Sequence, residues 1–260
     1  MNINCFPTPL FIAHRGVSAR YPENTLAAFG GAIDVNAAMI ELDVTLSKDR
    51  QLIVIHDETV DRTTSGSGAV KALSLEQLSR LDAGSWFHPR FKSERLPTLA
   101  QVLDLAKGRI LINIEIKPEA FQAHGPKDAV ERQVLALVHE KQVGEDVLYS
   151  SFEWQVLENL RKMDPRAALG LLSDVPADEN LIYWFRRIGG FSWHPDYRVV
   201  TRQQVETLHG LGARVFPYAV DGKIDTCRIL AMGVDGLIVD DPRQIMAANA
   251  LENDSRGDFV

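Results

Sequence analysis

Eight short apolar runs rich in β-branched residues recur along this chain, separated by longer segments in which apolar residues return every three to four positions. That alternation of period two with period 3.6 builds repeated β-α units, not a β-sandwich or a helical bundle. The runs are Leu10–Ala13, Met39–Leu46, Ile110–Ile116, Val147–Ser150, Ala168–Leu172, Gly190–Trp193, Arg214–Tyr218 and Gly236–Val239. Helical spacing marks Leu26–Ile33, Leu99–Ala106, Ala129–Glu140, Glu153–Lys162 and Thr201–Leu211. Asn24-Thr25 reads as a helix cap, Thr201 with Gln204 as a capping box, and Gly212 as a C-terminal glycine. Eight such units predict an α/β fold, a TIM (β/α)8 barrel; a doubly wound open sheet gives the same coarse pattern. The 260 residues suit one barrel domain over positions 1–250, followed by a flexible polar tail at 251–260.

One interval is too long for a plain crossover. Beyond the second run come a short strand-like Gln51–Ile55, a Ser/Gly-rich loop at Ser65–Gly68 and the pair Trp86-Phe87, which predicts a small insertion after strand 2, about 57–108. Trp86 and Phe87 are expected in the core of that insertion.

Residues two apart on a strand face the same side, so Glu41 and Asp43 project together, as do Glu115 and Lys117 on the next run. Leu42, Val44, Ile114 and Ile116 then face the surrounding helices. Solvated charges on an edge strand are the plainer alternative, but two adjacent strands with charges on one parity and pure aliphatics on the other argue for an inward-facing cluster. Glu41, Asp43 and Glu115 supply hard oxygen ligands, and three like charges converging in a barrel mouth call for one divalent cation, Mg2+ or Ca2+.

His14 ends the first strand and His56 ends the Gln51–His56 run, both at the mouth where barrel active sites form. Two imidazoles supply one general base and one general acid near neutral pH. Arg15 and Lys117 are the anion holders, one as a planar fork and the other as a point charge. Three carboxylates against one divalent ion leave one negative charge, and the two cations turn the balance to one positive, matched to a phosphodiester. The chain has no Gly-x-Ser-x-Gly elbow for acyl transfer.

The excess of acids, 35 Asp+Glu over 28 Lys+Arg, and the lack of a basic stripe exclude general nucleic-acid binding. No apolar run approaches the ~20 residues of a membrane span, which argues against stable membrane insertion. Two cysteines, Cys5 and Cys227, and no leader pattern fit a cytoplasmic protein; a homodimer is left open.

His14-Arg15-Gly16, Pro22-Glu23-Asn24-Thr25, Glu41-Leu42-Asp43, His56-Asp57 and Asp61-Arg62-Thr63-Thr64 resemble, in order, the signature of the glycerophosphodiester phosphodiesterases of the bacterial cytosolic type. Leu81-Asp82-Ala83-Gly84, Pro97-Thr98-Leu99, Glu115-Ile116-Lys117, Ser151-Phe152, Asp235-Gly236, Asp240 and Pro242 continue the likeness over almost the whole chain. The resemblance implies a barrel with an insertion after strand 2, metal ligation by Glu41, Asp43 and Glu115, catalysis by His14 and His56, and phosphate contacts from Arg15 and Lys117. It further implies hydrolysis of glycerophosphodiesters to glycerol 3-phosphate and an alcohol. Two departures occur. Tyr218-Ala219-Val220-Asp221, preceded by Pro217, stands where the family usually has Trp-Thr-Val-Asn, and Val239 stands where Thr is usual. Tyr218 is therefore read as a substrate wall facing the insertion, in a pocket suited to soluble diesters. Asp61–Thr64 is read as a structural turn in which Arg62 pairs with a nearby acid. The alternatives are a lysophospholipid- or phosphoinositide-acting phosphodiesterase and a non-catalytic phosphate-ligand binding protein. The pair of histidines argues against the latter, since binding alone requires no acid and base.

Overall fold

The computed structural model of the protein describes residues 2–3, 8–220 and 222–243. Cys5, Asp221 and the tail from Leu251 to Val260 lie outside them.

Among the described residues, β1 (Leu10–Ala13), β2 (Met39–Leu46), β4 (Leu111–Ile116), β5 (Val147–Ser151), β6 (Ala168–Ser173), β7 (Ser192–Pro195), β8 (Arg214–Val215) and β9 (Gly236–Val239) form one parallel sheet, and β3 (Leu52–Val54) pairs antiparallel with β2. The order β8-β7-β6-β5-β4-β2-β1-β9 brings the chain's first and last strands together. Backbone hydrogen bonds between the β8 and β9 segments then close the barrel: Asp235 N to Val215 O at 3.0 Å, Ile238 N to Pro217 O at 2.9 Å and Val220 N to Ile238 O at 3.0 Å. Those bonds exclude the open doubly wound sheet.

The helices are α1 (Leu26–Asp34), α2 (Leu75–Leu78), α3 (Leu99–Ala106), α4 (Val130–Lys141), α5 (Trp154–Met163), α6 (Glu179–Ile188), α7 (Arg202–His209) and α8 (Lys223–Leu230). Thr25 caps α1 through Ala28 N, and Thr201 with Gln204 forms a reciprocal capping box on α7. Gly212 is left-handed at φ 79 but lies past the α7 C-cap, Gly210. The apolar pattern alone passes over α2, α6 and α8. For α6 the signals are local: Asp178 accepts from Leu181 N, Gly189 ends the helix at φ 59, and Leu181, Phe185 and Ile188 form its buried stripe.

Two strands differ from expectation by more than one residue at an end. Gly190 belongs to the exit of α6, where a Cβ would strike the Phe185 ring, so β7 begins at Ser192 and runs on through the buried His194. β8 has only two residues, because Pro217 has no N–H to offer the ladder; Tyr218 continues as an isolated bridge to Asp196.

Inward- and outward-facing residues separate as the period-two reading requires. Ile40, Leu42, Val44, Ile112, Ile114 and Ile116 pack with the helices. Leu10, Ile12, Met39, Leu111, Leu148, Phe216 and Ile238 fill the lower barrel. Above them, on the same parity as Met39 and Leu111, stand Glu41, Asp43 and Glu115, so one end of the barrel is an apolar plug and the other a charged mouth. The segment after β3 has its own aliphatic core of Ile53, Ile55, Val60, Val70, Leu78, Ala83 and Leu96. Trp86, 40% exposed, and Phe87 both stand outside that core, contrary to expectation; they stack edge-on with each other, and Phe87 in turn meets Phe91.

Candidate active site

Parallel pairing sets Asp43 beside Glu115 and Glu41 beside Asn113. Oxygens of Glu41, Asp43 and Glu115 consequently all lie within 4.8 Å of one another. The three residues are only 4%, 1% and 8% exposed. Coordination distances of about 2.1 Å for Mg2+ or about 2.4 Å for Ca2+ place neighbouring oxygens ~3–5 Å apart, so the cluster is compatible with one divalent ion.

Around this triad the chain arranges two cations. Lys117, just past β4, donates from Nζ to Glu115 Oε1 at 2.9 Å and lies 3.4 Å from Asp43 Oδ1. Arg15 follows β1 in a left-handed turn with Gly16, at φ 55 and 81. Gly16 is required there, because a Cβ would come within 2.5 Å of the Ala28 carbonyl carbon. The turn lets the Arg15 backbone N–H donate to Glu41 Oε2 at 2.9 Å while its guanidinium donates to Glu23 Oε1 at 2.8 Å and sits 3.5 Å from Asp43 Oδ2. Asn24, also left-handed, completes the shell by donating from Nδ2 to Asp43 Oδ2 at 2.8 Å.

Each histidine is held by an aspartate. His14 Nδ1 is 2.7 Å from Asp240 Oδ1, which also accepts from Ser18 Oγ at 2.9 Å; Asp240 directly follows β9. His56 Nδ1 is 2.7 Å from Asp57 Oδ1. The bond from Ile55 N to Asp43 O, 3.0 Å, carries His56 alongside the carboxylate strand. Arg62 donates to Asp57, the kind of nearby acid expected for it, and also to Glu23, 39 positions away in sequence.

The electrostatics follow from burial and these neighbours. Burial, reinforced by the Asp43 and Glu115 charges, pushes the Glu41 carboxyl well above the ordinary range, and burial with the Asp43 charge pushes Glu115 up. Burial opposes ionisation of Asp43 too, but Lys117, Arg15 and His56 outweigh it and hold that carboxyl at about 2. Burial lowers the His56 pKa against the pull of Asp43. Such a site keeps two cations charged and one imidazole neutral near pH 7.

His14, Arg15, Glu41, Asp43, His56, Glu115 and Lys117 are thus brought to one mouth. Tyr218 stands across from them: its hydroxyl donates to Ser173 O at 3.3 Å and its ring meets the Phe152 edge at 6.0 Å. Burial raises its pKa, and the Glu115 charge reaches it. Asp240, Asn24 and Glu23 stand in motifs quoted above, but sequence reasoning assigned none of them a place in the site. The signal for Asp240 was its place immediately after an apolar strand, the same signal that marks His14.

A model of the glycerophosphoryl diester phosphodiesterase family matches residues 14–244. A glycerophosphodiester phosphodiesterase of Caldanaerobacter subterraneus subsp. tengcongensis is 42% identical over 238 residues, covering 91% of this chain and 96% of its own. A putative glycerophosphodiester phosphodiesterase of Bacillus subtilis is 37% identical, covering 93% and 98%. Among solved structures, a phosphodiesterase of Oleispira antarctica in complex with the product sn-glycerol-3-phosphate superposes with a TM-score of 0.82 at 26% identity, covering 94% of this chain and 97% of that one. With a barrel of that shape and a buried acidic triad at its mouth, this chain belongs to the glycerophosphoryl diester phosphodiesterase family.

Proposed function

We propose that this enzyme cleaves glycerophosphodiesters to glycerol 3-phosphate and an alcohol by general acid/base catalysis at His14 and His56 beside a divalent ion. The observation that carries the reading is the pair of histidines, each fixed through Nδ1 by an aspartate next to the triad. Fixing Nδ1 makes Nε2 the proton-transferring nitrogen. One imidazole takes the proton of the attacking nucleophile, and the other protonates the departing alkoxide as its P–O bond breaks. Arg15 and Lys117 orient the phosphate. Mg2+ or Ca2+, held by Glu41, Asp43 and Glu115, would draw charge from the phosphoryl oxygens.

Phe152 and Tyr218 form an aromatic wall for the substrate's organic part. A small wall of this kind suits deacylated, water-soluble diesters, as a cytoplasmic enzyme would meet. No helix among the described residues is long and apolar enough to cross a membrane.

The test is a coupled assay for glycerol 3-phosphate with glycerophosphocholine and glycerophosphoethanolamine, with lysophosphatidylcholine scored alongside through choline release. Turnover of the soluble diesters is expected, abolished by chelator and restored by Mg2+ or Ca2+. Faster cleavage of the lysophospholipid would shift the substrate to a lipid, and full activity after exhaustive chelation would remove the metal from the mechanism. No glycerol 3-phosphate from any diester would overturn the proposed function.

A further inference from the structure

We propose that Arg62 is a positioning residue that locks His56 and Arg15 into one rigid unit, so that a side chain of the inserted segment sets both proton transfer and phosphate binding. Within the proposed function, the first acts through Asp57 and the second through Glu23.

The geometry is a doubled fork. Arg62 donates from Nε to Asp57 Oδ2 at 2.7 Å and from Nη2 to Asp57 Oδ1 at 2.9 Å. From its other edge it donates through Nη1 to Glu23 Oε2 at 2.7 Å and through Nη2 to Glu23 Oε1 at 2.8 Å. The oxygens it engages are the ones in use downstream. Asp57 Oδ1 also meets His56 Nδ1, and Glu23 Oε1 also accepts from Arg15 Nη1. An unbroken chain of charge-assisted bonds therefore runs from His56 through Asp57, Arg62 and Glu23 to Arg15, whose Nε reaches towards Asp43.

Stability alone is a poor account of this arrangement. The Arg62 side chain is 45% exposed, and solvent screening leaves ion pairs made by such a side chain little to add to stability. What two bidentate contacts add is geometry: a guanidinium fixes the plane of each carboxylate, whereas an ammonium supplies a charge without a plane. His56 and Arg15 each take their orientation from such a carboxylate.

The insertion holds Arg62 ready for this role. Thr64, two positions on, is buried, donates to Val60 O at 2.7 Å and accepts from Gly66 N at 3.0 Å. Gly68 N donates to Asp61 Oδ2 at 2.9 Å, and Val60 anchors the turn in the insertion's aliphatic core. The turn is thus built before substrate arrives, which removes much of the entropy cost of holding a long side chain still.

The experiment measures kcat and KM for glycerophosphocholine with R62A, R62K, E23Q, D57N and the doubles R62A/E23Q and R62A/D57N, in metal-replete protein well below Tm. R62A is expected to lower kcat 10- to 100-fold, the range for partners that orient a catalytic group, and to raise KM several-fold. R62K, which keeps the charge but not the fork, should recover less than a third of the lost kcat. D57N should carry mainly the kcat defect and E23Q mainly the KM defect, and each double should be no worse than about twofold below its worse single. Guanidinium ion at tens of millimolar should partly restore R62A. R62A with kcat and KM within twofold of wild type, full recovery in R62K, or additive doubles would each overturn the clamp. A thermal melt of each variant identifies loss of fold; if R62A fails to fold, R62K against wild type decides. Inactive wild-type protein would instead refute the proposed function, so the two failures are distinguishable.

Discussion

At the scale of single residues, Glu41 shows function set against stability. Burial, and then the neighbouring charges of Asp43 and Glu115, push its folded-state pKa well above the unfolded value. A raised carboxyl pKa means that the folded state binds the proton more tightly. Stability is therefore lost progressively as pH rises from about 4.3 through the folded pKa, so the ion-free protein is less stable at neutral pH than in mild acid on account of this group. Glu41→Gln removes that deficit, and its carbonyl can still accept from the Arg15 backbone N–H. In the presence of chelator at pH 7.5, Glu41→Gln should melt several degrees above wild type, each kcal/mol being worth about 2–4 °C for a chain this long, while its turnover falls to background. Equal or lower melting of the variant would show that repulsion among the carboxylates is already relieved by Lys117 and Arg15.

Elements divide between those that shape the mouth and those that only support it. The β1–α1 turn belongs to the first kind: it presents His14 and Arg15, and it passes so near α1 that Gly16 has no room for a Cβ. Gly16→Ala must strain a left-handed backbone and move the turn as well, so it should cost more than ~1 kcal/mol and lower kcat/KM at least tenfold. The α7 capping box belongs to the second kind. Thr201→Ala should cost a similar ~1 kcal/mol and leave kcat and KM within twofold, because it frays a helix whose cap makes no contact with the triad. Urea titration paired with steady-state kinetics on the two variants separates these effects. Equal kinetics for both would mean that the turn tolerates movement.

For the whole molecule, the decisive feature is the asymmetry along the barrel axis, with apolar side chains at one end and carboxylates at the other. An ion bound to the folded state alone stabilises it by mass action, about 2.7 kcal/mol at one hundred times its Kd. Tm should therefore climb with added Mg2+ or Ca2+, and the climb should vanish in Glu41→Gln, since the triad is formed only when β2 and β4 are in register. A Tm indifferent to both ions, or rising equally in the variant, would place ion binding elsewhere.

How much of this was legible in the sequence depends on the range of the interactions concerned. Strand alternation is a local property of the backbone, so the shared face of Glu41 with Asp43, and of Glu115 with Lys117, could be read directly. The same holds for the Thr201 capping box and for Asp57 beside His56. The sequence also left two arrangements of the eight β-α units open. Tertiary structure decided between them through the bonds that join the β8 segment to β9, and it shortened β8 at Pro217. It also exposed Trp86, matched His14 with Asp240 across 226 positions and linked Arg62 to Glu23 across 39. Such pairings arise where separately formed elements meet, and that meeting is fixed by register and packing summed over the whole barrel. Residue types show which side chains can pair, whereas the placement of the strands and loops selects which of them do.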